Sequence, residues 1–143
     1  MDSKLRAVSW VLLALVGALV LLGSLASAHL AYRGDFPIAG VSIADVAGGR
    51  EAVLLGLRGA RGTAAAWAAA WAVLFLALVF GPYRRGDVAT WWGILASAIV
   101  LGAVAGARVV FTGAQAGTGE PLVLLVAVLV ALLIDVKRLT APR

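Results

Sequence analysis

The stretch from Val8 to Leu30 reads VSWVLLALVGALVLLGSLASAHL and contains no Asp, Glu, Lys or Arg. A helix that crosses a membrane needs about 20 mostly apolar residues, because the hydrocarbon core is about 30 Å thick and a helix rises about 1.5 Å per residue. This stretch therefore has the length and composition of a membrane-spanning helix.

The rest of the chain has the same character. Of its 143 residues, 63% are hydrophobic and 13% are charged, whereas an average soluble domain is about 45–50% apolar and about 25% charged. A small soluble core cannot cover so much apolar surface. We predict an all-α integral membrane protein, a four-transmembrane-helix bundle that forms a single membrane domain over residues 1–143. Its helices are predicted at about residues 7–31, 62–83, 88–110 and 119–137.

Two of these helices leave alternatives open. The fourth apolar run, Leu122–Ile134, is short, and it spans a membrane only if its helix begins near Pro121 and the basic residues after it reach the headgroups. The first run, with Lys4 and Arg6 before it and the small residues 26–28 near its end, is also similar to a cleavable secretory signal. Its length favours a retained helix.

The basic residues indicate an orientation. An even number of spans puts both termini on one side, together with the Arg84-Arg85 pair and with Lys137 and Arg138. Because loops rich in Lys and Arg stay inside, both termini are predicted to be cytoplasmic, in a bacterial inner membrane. The aromatic residues predicted near the inner interface are Trp10, Tyr83, Trp91 and Trp92, and those near the outer one are Tyr32 and Trp67.

The long first loop divides into two parts. Residues 32–46 contain Gly34, Pro37 and Gly40 and are typical of irregular polar structure. In residues 50–61 the apolar and charged positions recur at helical spacing. This segment is either an amphipathic helix lying in the outer interface or the start of a second helix that begins near Glu51 instead of Gly62.

Small residues recur on the third predicted helix. Ala98, Gly102 and Gly106 are spaced four apart, so they form a flat stripe that lets another helix approach closely. Gly23 and Ser27 make a similar pair on the first helix. These residues either pack the bundle internally or contact a second copy or another membrane subunit.

A candidate site for a lipophilic ligand follows from the aromatic residues of the second helix. Trp67, Trp71 and Phe75 share one side at spacings of four, which is typical of core or lipid contact and also of a wall for a flat apolar ligand such as a quinone, an isoprenoid or a lipid. The polar anchors available to such a ligand are Arg58, Arg61 and His29.

Catalytic and metal chemistry has little support in this sequence. The chain has no cysteine and one histidine, so thiol chemistry and histidine-rich metal sites are excluded. The first three apolar runs contain no acid, and Asp135, at the end of the fourth, is predicted to pair with Arg138. We therefore predict no catalytic residue, cofactor or metal. The formal charge of +5 is scattered along the chain, and no nucleic-acid partner is predicted.

One turn carries a family resemblance. Residues 81–87 read GPYRRGD and precede Trp91-Trp92. This run resembles a turn of small four-helix bacterial membrane proteins of unknown function, of which the DoxX-like proteins are the named group. The resemblance implies a four-helix architecture and no catalytic residue.

These features predict a function. We expect a non-catalytic polytopic membrane protein that acts by assembly, either as a homo-oligomer or as an accessory subunit of a larger membrane complex. Its partners are then the lipid bilayer and copies of itself or other membrane subunits. The alternative is a binder or enzyme for a lipophilic small molecule in an intramembrane cavity. A transporter has less support because no span has a polar stripe.

Overall fold

The computed structural model describes the backbone of residues 3–38, 40–112 and 119–140. It is 89% helical. Its long helices are α1 (Ser3–Arg33), α3 (Glu51–Leu78), α4 (Val88–Thr112) and α5 (Gly119–Ile134). The shorter elements are strands β1 (Pro37–Ile38) and β2 (Val41–Ser42), helix α2 (Ile43–Ala47), a π-helical turn (Val79–Tyr83) and a 3-10 helix (Val136–Thr140).

Three helical segments are long and apolar enough to cross a membrane. They are Leu5–Arg33, Glu51–Tyr83 and Val88–Phe111, and the apolar part of α5, Leu122–Ile134, is shorter. The prediction of an all-α chain with three long apolar helices and one shorter one is confirmed. By its contacts the chain divides into two compact units, a terminal unit (Met1–Gly17 and Phe75–Arg143) and a central unit (Ala18–Leu74).

Helix α3 begins at Glu51 and runs without a break through Gly59 and Gly62. Residues 50–61 are therefore its first turns and not a separate interfacial helix. Tertiary packing explains the early start, because Leu54 and Leu57 lie against a small apolar core in the central unit. That burial offsets the cost of about 1 kcal/mol that each helical glycine carries relative to alanine.

The core of the central unit corrects the expectation of irregular structure in residues 32–46. Ala31, Phe36 and Ile43 are buried together, and β1 and β2 form a short antiparallel hairpin before α2. Helix α2 starts where the Ser42 hydroxyl accepts the N–H of Ala44, and it ends at Gly48 in the left-handed conformation. The loop thus folds as an apolar cap on the first turns of α3.

The turn at residues 79–87 ends one helix and starts the next. Pro82 has no N–H to continue the helical ladder, and Gly81 leaves helical geometry with φ −90° and ψ −105°. Gly86 then turns the chain at φ 97°. The carboxylate of Asp87 accepts the backbone N–H and the hydroxyl of Thr90, which satisfies the first turn of α4.

In the terminal unit, α1 approaches the end of α3 at Gly17. A Cβ at this position would lie 2.7 Å from Leu76 Cδ2 and 3.0 Å from Phe75 Cδ1, whereas a Cβ at Gly23 would meet nothing within 4 Å. Of these two glycines, Gly17 is therefore the one that a close contact requires, although the sequence analysis selected Gly23.

We expect Gly17→Leu to destabilise the protein by about 1–3 kcal/mol, because a larger side chain overpacks this contact. Gly23→Leu is the matched control on the same helix and should be neutral or slightly stabilising, since leucine favours helix over glycine. Thermal unfolding of both variants in one detergent measures the difference. Equal midpoints would show that α1 tolerates bulk at position 17.

Candidate functional site

The three aromatic residues predicted to form a ligand wall lie in different environments. Trp67 is 75% exposed and Phe75 is 4% exposed, with Trp71 between these extremes. Residues four apart on a helix are offset by about 40°, so this line winds from an exposed surface at Trp67 to a buried one at Phe75. A single ligand wall formed by these three rings stays a prediction.

Two of the predicted anchors are brought together in the central unit. Arg58 donates from Nη2 to the Gly34 carbonyl at 3.3 Å. Arg61 donates from Nε to the Ser27 hydroxyl at 3.0 Å, and its guanidinium carbon lies 4.1 Å from the centre of the Phe36 ring. Both guanidinium groups are thus held against the last turns of α1 and the few residues that follow it.

The third anchor, His29, is exposed near the end of α1. No hydrogen bond joins it to Arg58 or Arg61 in the part of the chain that the structure describes. Across those same residues, no group of three or more His, Cys, Asp or Glu side chains is arranged to hold a metal ion.

The predicted stripe of small residues divides along α4. Ala98 is buried, with 5% of its surface exposed, and a Cβ at Gly102 would lie 3.1 Å from Leu125 Cδ2 of α5. A Cβ at Gly106 would meet nothing within 4 Å. The inner part of the stripe is therefore used within the terminal unit, and Gly106 is open.

An apolar cavity of ≈ 280 Å³ lies between α4 and α5. Gly102, Ala105 and Gly106 line it from α4, and Leu122 and Leu125 line it from α5. None of the six predicted ligand-binding residues contributes to it. The cavity is instead continuous with the open part of the small-residue stripe.

A buried polar cluster in the terminal unit was not predicted. Ser9 Oγ donates to the Ala131 carbonyl at 2.8 Å and lies 2.7 Å from the Tyr83 hydroxyl. Because a serine has one O–H, the Tyr83 hydroxyl is the donor to Ser9. Trp91 Nε1 donates to the neighbouring carbonyl, that of Leu132, at 3.2 Å.

The burial of two aromatic residues in this cluster corrects one expectation. Tyr83 and Trp91 are 0% and 5% exposed, so they are buried donors and do not face lipid, whereas Trp92 is 54% exposed. Asp135 is also fully buried, at 0% exposure. Its predicted partner Arg138 has a side chain outside the described residues. The signal in the sequence was the presence of Ser9 and Tyr83 at the ends of otherwise apolar runs.

We expect Ser9→Ala to destabilise the protein by about 1–3 kcal/mol, because it removes both bonds of a buried hydroxyl. Ser24→Ala is the matched control on the same helix. Ser24 is also buried, but it donates only to the Val20 carbonyl of its own helix, and we expect a change within about 0.5 kcal/mol. Thermal unfolding in detergent compares the two. Equal losses would contradict a special role for Ser9.

Comparisons of this chain with protein-family models, with curated proteins and with solved structures find no match. The resemblance of residues 81–87 to the DoxX-like turn stays a prediction. The residues of this turn have a local structural role. Gly81 and Pro82 end one helix, and Asp87 caps the next.

Proposed function

We propose that this chain is a non-catalytic, four-span protein of a bacterial inner membrane that acts by assembling with a second copy of itself. The proposed contact is the α4 face, which we define as Ile99, Ala103, Gly106 and Val110. The observation that carries the proposal is Gly106, an exposed helical glycine that borders an apolar cavity and around which a Cβ would meet nothing.

The membrane location is supported by the three long apolar segments. Helix α5 has 16 residues, which at about 1.5 Å per residue gives about 24 Å, and the 3-10 helix after it extends the span. Arg84 and Arg85 are exposed in the short turn before α4, which supports cytoplasmic termini by the positive-inside rule.

Assembly through α4 is supported by how little of that helix is covered. Only 11% of its most apolar window is buried, against 22% for each of the other two long segments. Ile99 and Val110 on the α4 face are 60% and 79% exposed. Lipid can cover such side chains, but a lipid chain makes fewer packing contacts with an exposed glycine than a second helix does. Helices in membranes associate where small residues let their backbones approach closely.

A second copy fits this face for reasons of symmetry. Most homo-oligomers are closed, and a two-fold interface uses the same patch on both subunits. Copies of one membrane protein share one orientation, so the two-fold axis is normal to the membrane and the two α4 helices run parallel. Small residues on one face of a helix, such as Ala103 and Gly106, let that helix pack against its own copy in this parallel arrangement.

The alternative function, binding of a lipophilic molecule, has one supporting observation. Trp67, Trp71 and Phe75 differ in exposure, but Arg58 and Arg61 both contact the same short segment after α1. Their guanidinium groups are suited to binding the headgroup of a ligand and not a flat ring system.

Gly106→Leu tests the proposed assembly. Because nothing surrounds a Cβ at position 106, the subunit should fold normally while the close approach of two α4 helices is blocked. Gly93→Leu is the matched control, since Gly93 also has open space and lies about 140° around α4 from Gly106. Native mass spectrometry from the protein's own membrane lipid should give a dimer for the parent and Gly93→Leu, and a monomer for Gly106→Leu. A monomeric parent would contradict the proposal.

Cysteine cross-linking locates the contact independently. The chain has no cysteine, so single cysteines can be introduced without first replacing native ones. Ile99 and Val104 are both well exposed, at 60% and 66%, and they lie about 140° apart around the helix. We expect Ile99→Cys to form a disulfide-linked dimer in membranes and Val104→Cys to form little. The reverse pattern would place the contact on another side of α4.

The orientation is testable in the same way. Asp45 in α2 and Arg85 in the turn before α4 are both exposed. In intact spheroplasts, a membrane-impermeant maleimide should label Asp45→Cys and should label Arg85→Cys only after lysis, because the two positions are proposed to lie on opposite sides. Labelling of Arg85→Cys from outside would invert the topology.

A further inference from the structure

Arg58 and Arg61 lie on one side of α3, three residues apart, and both reach the segment Gly34–Phe36. Each side chain is partly buried. Arg58 uses Nη2 for the Gly34 carbonyl, while its Nε is buried and has no hydrogen-bond partner. A guanidinium group offers five N–H donors in a planar fork. The neutral oxygen acceptors therefore satisfy only a few of the donors of this pair.

No carboxylate of the described residues forms an ion pair with either arginine. The acid nearest in sequence to their contacts is Asp35, and its Oδ1 accepts the backbone N–H of Ile43 at 3.2 Å. Partly buried positive charge is costly unless an anion accompanies it. The two arginines therefore form a built cationic site whose counter-ion is not supplied by the chain around them.

The level of this site along the helices indicates where the anion comes from. Ser27, which accepts from Arg61, lies inside the apolar segment Leu5–Arg33 and near its end. The Tyr32 ring lies against the α3 backbone at Gly62 and is 63% exposed. Exposed aromatic rings at the end of apolar helices are typical of the headgroup level of a membrane, which is where lipid phosphates are found.

We propose that Arg58 and Arg61 bind the phosphate group of a membrane lipid, in the leaflet opposite the chain termini. Arginine is suited to this ligand because its fork matches two phosphate oxygens at once. The hydrogen bond from Arg61 to Ser27 and its stacking on Phe36 fix that fork before the ligand arrives, which reduces the ordering cost of binding. The inference shares the membrane location with the proposed function and is independent of the assembly through α4.

The test uses the full-length protein in an uncharged maltoside detergent. Dioctanoyl phosphatidic acid is the lipid phosphate, dioctanoylglycerol has the same chains without phosphate, and inorganic phosphate has no chains. Native mass spectrometry counts bound molecules and gives their affinity. We expect one phosphatidic acid per chain, with weaker binding of both other probes. Equal affinity for dioctanoylglycerol would overturn the phosphate site, and equal affinity for inorganic phosphate would overturn a lipid as its source.

The variants assign the binding to these two arginines. The double substitution Arg58→Gln and Arg61→Gln should weaken phosphatidic acid binding by about 10- to 100-fold, the effect of losing charge-assisted hydrogen bonds. Arg33→Gln together with Arg50→Gln removes the same number of charges from two exposed arginines and should change the affinity by less than about twofold. Equal losses in both proteins would overturn a specific site in favour of general charge attraction.

Charge-preserving variants guard against a folding defect. Arg58→Lys and Arg61→Lys keep the positive charge but lose the fork, so each should weaken binding by about tenfold while the unfolding midpoint without lipid stays close to the parent's. Unchanged affinity in both would overturn the two-pronged recognition. The oligomeric state of these variants should match the parent, so a failure of this site is distinguishable from a failure of the α4 contact.

Discussion

The packing of the terminal unit depends on hydrogen bonds to the last carbonyl groups of α5. A helix leaves its final C=O groups without intrahelical donors, and in apolar surroundings each unsatisfied group costs about 1–3 kcal/mol. The N–H of Asp135 bonds to Leu132 in place of Ala131, so the Ala131 carbonyl needs another donor. Ser9 of α1 supplies it and in turn accepts from Tyr83, while Trp91 of α4 donates to the Leu132 carbonyl. One helix end thus connects the other helical segments of this unit, and it does so with neutral donors.

The central unit differs, because the side-chain hydrogen bonds that join α3 to the region around the end of α1 are made by charged groups. Its core is small, with Phe36 and Ile43 as the larger buried side chains. Arg61 extends that core by covering the Phe36 ring with a cation–π contact, which contributes about 0.5–2 kcal/mol depending on solvation. Arg58 and Arg61 therefore have a structural role as well as the proposed phosphate-binding one. The first explains their fixed orientation, and the second explains why no carboxylate neutralises them.

The two proposed activities belong to different units of the chain. The α4 face belongs to the terminal unit, and it offers a close-packing surface without charge at Ala103 and Gly106. The arginine pair belongs to the central unit, and it offers charge in a fixed geometry. Neither needs a nucleophile, a metal or a titrating group, which agrees with the scarcity of such residues in the apolar helices. A small protein that binds its own copy and a lipid phosphate would act on how membrane components are arranged, and not on their covalent chemistry.

The sequence by itself determined the helical class, the number of apolar runs and the Gly81–Asp87 turn, because these follow from local composition, from helix length and from the fixed geometry of proline and glycine. Tertiary structure alone decided where α3 begins, which glycine lies in a close contact and which aromatic residues are buried. The reason is that an apolar run is equally compatible with lipid and with protein on every side, so hydrophobicity carries no signal about which face packs. Pairing of distant polar groups, such as Ser9 with the end of α5 or Arg61 with Phe36, settles that choice only once the helices are folded together.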